Sequence, residues 1–286
     1  MPPANQLAWV TGANGLIGNY LIQTAPRYAP DWTVRALTRD QLELLNFAAV
    51  RREFLKDQPQ LMIHCAAVTT ISGAQKHPDL ARRLNVELTQ LLEELAAEGR
   101  LVLFSTDLVF DGRKGDYTEH DAVNPLHLYG ETKAAAEQIV LENPRHTVVR
   151  TSINGGTSRT GNRGFNEVLR LAWQAGQAMT LFTDEFRCPI PAAETARAVW
   201  ELIKQERTGI YHVAGAEKLS RRQVGQLVAA RWPQFHPKMT PGSLKDFAGP
   251  PRSPDVSLNI GRVQSVLSAP LAGLTGWLAQ NPDEPF

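Results

Sequence analysis

The chain has 286 residues, a formal net charge of +1 and a hydrophobic share of 43%, which is typical of a globular protein. This length suffices for one large domain or two unequal ones. The balanced charge, without a long basic run, gives no indication of nucleic acid or an anionic membrane as a partner. No apolar run is long enough to span a bilayer.

The cysteine content and the N-terminus indicate a cytoplasmic protein. Cys65 and Cys188 are the only cysteines, so neither a disulfide framework nor a CxxC pair can form, which fits a reducing compartment. Residues 1–6 lack the basic start and the apolar run of a signal peptide. The histidines form no HxxxH motif and no cluster with cysteine, so we expect no metal site.

The first predicted element is a buried strand over residues 7–10, which runs into the sequence TGANGLIG and then into a helix that stops near Pro26. Glycine between a strand and a helix lets the backbone turn tightly and approach a pyrophosphate, and the helix N-terminus supplies free N–H groups. Such a turn also occurs without a ligand, but this context favours a dinucleotide site. The predicted contacts are Gly12, Asn14, Gly15, Leu16, Ile17 and Gly18.

The end of the second predicted strand, residues 32–37, bears on the choice of cofactor. An acidic residue there would bind the ribose 2′-hydroxyl of NAD, but the strand runs into Thr38 and Arg39, and the first acid is Asp40. A small residue followed by arginine suits a 2′-phosphate. The sequence therefore favours NADP over NAD, with a solvated loop charge as the alternative role of Arg39.

Small residues follow the third predicted strand, residues 61–65. Cys65, Ala66 and Ala67 at its end would let a nicotinamide ribose lie against the strand. Plain core packing is the alternative, and we expect Cys65 to be a small buried hydrophobe and not a reactive thiol.

The fourth predicted strand, residues 101–104, delivers Thr106 and Asp107 to the edge where open α/β sheets place ligands. Helices are predicted on either side of the third strand, over residues 41–56 and 78–97.

A tyrosine and a lysine stand four residues apart at the start of the next predicted helix, in the sequence YGETK. Tyr129 and Lys133 would lie one turn apart on the same face. Because a nearby ammonium favours the phenolate, Lys133 is expected to lower the pKa of Tyr129 toward working pH. Such a phenol can give or take a proton at a carbonyl or alcohol oxygen. An ordinary helix start with an exposed lysine is the alternative.

Strand and helix patterns continue to alternate through the middle of the chain. The fifth strand covers residues 147–149, helical patterns recur near 164–175 and 192–205, and short strand patterns lie near 179–182 and 210–213. This alternation predicts an α/β fold with a doubly wound parallel sheet of the Rossmann type.

After residue 214 the alternation breaks, and prolines punctuate short helical pieces. We interpret this region as part of a second, smaller lobe packed over the strand ends. The NAD(P)-binding Rossmann domain is predicted over residues 1–152 and 178–214, and the smaller lobe over residues 153–177 and 215–286.

In combination, these motifs resemble a known family. The sequences TGANGLIG, STD (residues 105–107) and YGETK together resemble the extended short-chain dehydrogenase/reductases. Four further segments are similar to the dTDP-4-dehydrorhamnose reductase branch of that family, and the similarity covers nearly the whole chain in the same order. They are residues 66–69, 105–112, 150–152 and 251–258.

The resemblance implies an NADP-dependent oxidoreductase, with NAD as the other cofactor choice, that reduces the 4-keto group of a nucleotide sugar. Hydride would come from C4 of the nicotinamide and the proton from Tyr129. Lys133 would lower the Tyr129 pKa and hold the nicotinamide ribose. Thr106 would hydrogen-bond the ketone oxygen and stabilise its developing charge. Many members of the family are dimers, so a homodimer is a further expectation.

The substrate side is expected to include Thr106, Asp107 and Ile153. Arg187 and Arg252 are candidates for the substrate's phosphates, because arginine offers planar, bidentate donors to oxyanions. A surface or interlobe salt bridge is the alternative for each arginine.

This chain departs from the usual pattern of the branch at several substrate-side positions. Leu108 stands where the branch usually has tyrosine, and Ile153 where it usually has a bulky aromatic residue. Ser72 and Gln75 replace acidic residues. Some relatives are regulatory subunits of methionine adenosyltransferase, so the alternative function is that of a non-catalytic, NADP-binding regulatory subunit.

Overall fold

The computed structural model describes residues 6–286 of the chain. Residues 1–5, which carry most of the prediction about a signal peptide and begin the predicted first domain, lie outside the described residues. Between residues 6 and 286 no helix is both long and apolar enough to cross a membrane.

The described strands and helices follow one another in close alternation. The strands are β1 (Gln6–Thr11), β2 (Trp32–Leu37), β3 (Leu61–His64), β4 (Arg100–Thr106), β5 (Thr147–Thr151), β6 (Asn154–Gly155), β7 (Ala178–Phe182), β8 (Phe186–Arg187), β9 (Ile190–Pro191), β10 (Gly209–Val213), β11 (Leu219–Ser220) and β12 (Lys238–Gly242). The α-helices are α1 (Leu16–Tyr28), α2 (Phe47–Asp57), α3 (Ile71–Lys76), α4 (Pro78–Arg82), α5 (Leu88–Leu95), α6 (Leu128–Leu141), α7 (Phe165–Gln174), α8 (Ala192–Lys204), α9 (Arg221–Arg231), α10 (Gly261–Gln264) and α11 (Leu274–Gln280).

Two predicted helices differ from the observed ones in extent or regularity. The helix predicted from residue 41 begins only at Phe47, because Asn46 caps it by accepting a hydrogen bond from the Ala49 N–H at 3.1 Å. The predicted helix over residues 78–97 is built from α4 and α5 joined by a π-helical turn, Arg83–Glu87.

The central sheet has six parallel strands in the order β2-β1-β3-β4-β5-β10. The chain adds strands outward in one direction from β1 to β2 and then in the other from β3 onward. The strand order therefore reverses between β1 and β3, which is where such sheets bind ligands. The predicted doubly wound parallel sheet is confirmed.

Successive residues of each central strand enter cores on opposite faces of the sheet, as the two-residue period of a strand requires. Ala8 and Val10 of β1 pack in a cluster with residues of α1 and α8. Trp9 between them packs in a second cluster with residues of α2, α5 and α6. Because both faces are covered by helices, the central strands are rich in apolar residues on both faces, which explains why they could be predicted from short hydrophobic runs.

A third apolar cluster draws on α7, α9 and α11, which all lie in the stretches predicted as the smaller lobe. Two other stretches pack outside the part of the chain to which the prediction assigns them. Strand β7, predicted within the Rossmann domain, pairs in parallel with β12, and its Leu181 packs in the third cluster. Conversely, Val256 and Val263, predicted within the lobe, pack in the cluster of the central sheet.

Helix α6 is fixed to the sheet by a buried ion pair. The Arg150 guanidinium on β5 donates to both carboxylate oxygens of Glu137 on α6, at 2.7–3.1 Å, and each side chain is 3% exposed. The Ser105 hydroxyl at the end of β4 donates to the same carboxylate. The position of α6, and so of Tyr129 and Lys133, depends on this pair.

Glu137→Gln is expected to lower the free energy of unfolding by about 3–5 kcal/mol, because it leaves the buried Arg150 charge without its counter-ion. Glu142→Gln, at an exposed position just after the same helix, is the matched control, with an expected change within about 0.5 kcal/mol. Denaturant unfolding followed by circular dichroism measures both. Equal stability of the two variants would contradict the role assigned to the pair.

Candidate active site

The glycine-rich turn between β1 and α1 lies close to the end of β3. Gly12 has a φ of +66°, and a Cβ at this residue would lie 2.7 Å from the Ala66 nitrogen. The Gly15 N–H donates to the Gly12 carbonyl at 2.8 Å, and α1 begins directly afterwards without a side-chain cap. The backbone N–H groups of the first turn of α1, which contains Leu16 and Ile17, therefore have no side-chain acceptor, as an anion site requires.

Two polar side chains connect this turn to neighbouring segments. The Thr11 hydroxyl at the end of β1 accepts hydrogen bonds from the Cys65 and Ala66 N–H groups, each at 3.2 Å. Asn14 accepts a hydrogen bond at 3.3 Å from Arg159, which lies in the segment before α7. The predicted pyrophosphate turn and the predicted ribose surface after β3, including Ala67, are thus adjacent. Burial raises the pKa of the Cys65 thiol, so this side chain stays protonated.

Thr38 and Arg39 follow β2 on the other side of the same turn. The Thr38 N–H and hydroxyl both donate to the Gln41 side chain at 3.1 Å. The Arg39 side chain is 82% exposed and pairs with Glu43 at 2.8 Å. An exposed ion pair of this kind contributes little stability, so the guanidinium is free to exchange Glu43 for another anion.

Thr106, Tyr129 and Lys133 come together where β4 ends and α6 begins. Tyr129 and Lys133 are buried, at 8% and 2% exposure. A Cβ at Gly130 would clash with the Leu108 carbonyl, so the glycine of YGETK lets α6 approach the turn that follows Thr106. The structure therefore brings together the three residues predicted to be catalytic, beside the end of β3.

The pKa values of this cluster correct one prediction. Burial raises the pKa of Tyr129 to about 12, against the opposing effect of hydrogen bonding with Thr106. Burial also lowers the pKa of Lys133 to about 8, against the opposing charge of Glu137. The prediction that Lys133 lowers the Tyr129 pKa toward neutrality is wrong for this structure, because desolvation of the phenol dominates. Tyr129 is a protonated phenol at neutral pH.

Asp107 and the predicted phosphate ligands belong to one buried charge network. Arg187 donates to Asp107 at 2.6 Å and to Glu185 at 3.2 Å. Glu185 also pairs with Arg221 at 3.0 Å and with Arg252 at 2.7 Å. Arg187 is 3% exposed, whereas the Arg252 side chain is 23% exposed. Three guanidiniums face two carboxylates, so the network carries one positive charge in excess.

The other predicted substrate residues flank this network. Asp107 accepts hydrogen bonds from Arg187 on one oxygen and from Ser152 on the other, the latter at 2.6 Å. Because both of its oxygens accept hydrogen bonds within the protein, the Asp107 carboxylate serves to position Arg187 and Ser152. Ile153 lies half-buried after β5, and its carbonyl accepts from the Ile190 N–H at 2.9 Å.

Two residues near Tyr129 were missed by the sequence analysis. Asn85, in the π-helical turn, is 0% exposed; its side chain exchanges two hydrogen bonds with the Val68 backbone and donates to Thr132 at 2.9 Å. It ties α6 to the segment after β3. His127 caps α6 and stacks on Tyr129. The sequence signal for Asn85 was a lone asparagine between two apolar residues. The signal for His127 was its position directly before the start of a predicted helix.

Comparison with known proteins gives the family. Residues 8–272 match the family model described as "RmlD substrate binding domain". The chain belongs to this family. It is 31% identical over 222 residues to a dTDP-4-dehydrorhamnose reductase of Sinorhizobium fredii, covering 74% of this chain and 73% of the relative. It is 28% identical over 234 residues to methionine adenosyltransferase 2 subunit beta of Danio rerio, covering 77% and 72%.

A solved structure shares the fold over almost its full length. The crystal structure of dTDP-4-dehydrorhamnose reductase from Bacillus anthracis in complex with NADP superimposes with a TM-score of 0.87, covering 97% of this chain and 98% of that one, at 23% sequence identity. The predicted resemblance to this branch is confirmed. Within residues 6–286, no group of three or more His, Cys, Asp or Glu side chains is placed to hold a metal ion.

Gly12→Ala is expected to abolish any stabilisation by added NADPH in thermal unfolding, because the added Cβ would push the turn away from β3. Gly176→Ala is a matched control: Gly176 also has a positive φ, +71°, but an added Cβ there meets nothing within 4 Å. In the control, the free energy of unfolding is expected to fall by only about 1–2 kcal/mol, which is the cost of placing alanine in a left-handed backbone conformation. The control should keep its response to NADPH. A normal NADPH response in Gly12→Ala would contradict the assigned close approach.

Proposed function

We propose that this protein is an NADP-dependent oxidoreductase that reduces the 4-keto group of a nucleotide sugar. The observation that carries the proposal is the buried, protonated Tyr129 beside Thr106 and Lys133, next to the glycine-rich turn at the reversal of strand order. The relatives named dTDP-4-dehydrorhamnose reductase support the same reaction class.

The residues around the glycine-rich turn fit a dinucleotide. The positions of Gly12 and Gly18 leave no room for a Cβ, and this keeps the backbone of the turn open toward a pyrophosphate. Lys133, which lies near Cys65 at the end of β3, would hold the nicotinamide ribose with its ammonium. NADP, when bound, supplies the hydride.

The chain's own part in the chemistry is to position the ketone and to protonate its oxygen. Tyr129 would donate its phenolic proton to that oxygen as negative charge develops there. The Thr106 hydroxyl would hydrogen-bond the same oxygen. Thr106 is held in place because it accepts from the Leu108 N–H at 3.2 Å. Its single O–H donates to Asp107 at 3.1 Å in this structure and would turn from Asp107 to the ketone oxygen when the substrate binds.

The excess positive charge near Tyr129 supports a nucleotide diphosphate sugar as the substrate class. Arg252 is the stronger candidate for the phosphates, because its guanidinium is part-exposed and pairs only with Glu185 among the described ion pairs. Arg187 is more deeply buried and would attract the phosphates through its positive charge, without direct contact. Leu108 and Ile153 give the sugar side an aliphatic surface, which bears on the choice of sugar.

The choice of cofactor is tested by Arg39→Ala. A lost charge-assisted hydrogen bond to the 2′-phosphate should weaken NADPH binding roughly 10- to 100-fold and leave NADH binding unchanged. Arg51→Ala removes another exposed, ion-paired arginine and should change neither. Fluorescence titration gives all the dissociation constants. Tighter binding of NADH than of NADPH by the wild type would refute the preference.

The proton donor is tested by Tyr129→Phe, which keeps the ring and its packing. Oxidation of NADPH is followed with dTDP-4-keto-6-deoxy sugars as substrates. The rate is expected to fall about 10²–10⁴-fold, as for loss of a general acid, while NADPH affinity stays the same. Tyr28→Phe, on α1 and away from the cluster, should retain full activity. Near-wild-type turnover by Tyr129→Phe would mean that another group supplies the proton.

The similarity to methionine adenosyltransferase 2 subunit beta favours one alternative function, a non-catalytic regulatory subunit that binds NADP. The two functions differ in a direct way. A reductase turns over a ketosugar by itself, whereas a regulatory subunit associates with a methionine adenosyltransferase and changes its activity. Absence of turnover together with tight association in size-exclusion chromatography would replace the reductase proposal by this one.

A further inference from the structure

His127 has a fixed hydrogen-bonding state because it caps helix α6. Its Nδ1 accepts a hydrogen bond from the Gly130 N–H at 3.1 Å, as an N-cap side chain does. A neutral imidazole has one acceptor nitrogen and one donor nitrogen, so the proton lies on Nε2. Burial lowers the pKa of His127, which keeps the ring neutral at physiological pH.

The Nε2–H group of His127 is buried and has no hydrogen-bond partner among residues 6–286. The side chain is 7% exposed, and Nε2 is one of five buried side-chain nitrogen or oxygen atoms without a hydrogen bond among the described residues. Another of these atoms is Nε of Arg187. A buried donor without an acceptor is costly, so such groups commonly have a function.

Both unpaired donors belong to the region between Tyr129 and the charge network. The His127 ring is nearly parallel to the Tyr129 ring, at 17° and 6.2 Å between centroids. The charges of Arg187, Arg252 and Asp107 all act on His127, so its imidazole lies near the network that we propose for the substrate's phosphates. A ligand that contacts both Tyr129 and Arg252 would therefore pass beside His127.

We propose that His127 donates a hydrogen bond from Nε2 to an oxygen of the sugar, and that it is a specificity residue for nucleotide sugars. The inference rests on the proposed function, because the sugar lies between the carbonyl at Tyr129 and the phosphates at Arg252. At this position, the hydroxyl and ring oxygens of the sugar are the atoms that could accept a hydrogen bond from Nε2–H. His127 thus links the start of the catalytic helix to recognition of the substrate.

Two substitutions separate the cap from the donor. In His127→Asn the side-chain oxygen can take the place of Nδ1 and keep the cap, but the Nε2 donor is lost. In His127→Gln the longer amide can place its nitrogen near the position of Nε2, but the cap is lost. If His127 served only as a cap, His127→Asn would keep wild-type stability and affinity, whereas His127→Gln would lower both.

The test is the dissociation constant of dTDP-glucose, measured by calorimetry with NADP present, together with the thermal stability of each variant. His127→Asn is expected to bind dTDP-glucose roughly 10- to 100-fold more weakly, as when a buried hydrogen bond is lost, and to melt as the wild type does. It should bind dTDP, which lacks the sugar, with unchanged affinity. His127→Gln should melt at a lower temperature but bind dTDP-glucose more tightly than His127→Asn does.

Three results would overturn the inference. The first is wild-type affinity of His127→Asn for dTDP-glucose. The second is an equal loss of affinity for dTDP, which would place the donor on the nucleotide or its phosphates. The third is a wild type that does not bind dTDP-glucose. Turnover is measured separately, so a protein that binds the nucleotide sugar through His127 but reduces no ketosugar would contradict the proposed function and leave the inference standing.

Discussion

Glu185 is completely buried, and three arginine side chains surround its carboxylate. Burial alone would raise the pKa of this group, but Arg221, Arg187 and Arg252 together hold it well below its ordinary value. A buried carboxylate without such partners would be strongly destabilising. The segments that carry these residues are therefore constrained to meet at one point.

That meeting point joins the part of the chain predicted as the smaller lobe to the central sheet. Arg221 begins α9 of the lobe, while Arg187 on β8 continues the network to Asp107 at the end of β4. Asp107 in turn accepts hydrogen bonds from the hydroxyls of Thr106, which ends β4, and of Ser152, which follows the neighbouring strand β5. One connected set of charges thus fixes the lobe against the same strand ends that position the Thr106 hydroxyl. Such fixed positioning is what the hydrogen bond that we propose from Thr106 to a ketone oxygen would need.

The sequence predicted the features that have local signals. The glycine-rich turn, the small residues after β3 and the pair Tyr129 and Lys133 each lie at the end of a short apolar strand or at a helix start, and the structure brings them together. The features that it did not predict depend on distant partners. Nothing in residues 178–182 shows that they pair with β12 and not with the central sheet.

The same reasoning applies to the polar residues of the site. Asn85 is significant because its side chain meets Val68 and Thr132, which are 17 and 47 positions away along the chain. The charge of Glu185 could be read from the sequence, but its three partners could not. Motif spacing identifies which groups can react, whereas burial and pairing decide the state in which they are held.

Tyr129 shows why that distinction matters for mechanism. From spacing alone, the ammonium of Lys133 should favour the phenolate, but desolvation of a buried phenol acts in the opposite direction and is the larger effect. A rise of the pKa from 10.0 to about 12 disfavours the phenolate by roughly 3 kcal/mol. For the carbonyl reduction that we propose, this would be favourable, because the group would have to hold a proton until the ketone oxygen gains charge. The neutral phenol of Tyr129 would then supply the proton, and the buried ammonium of Lys133 would supply positive charge to the site.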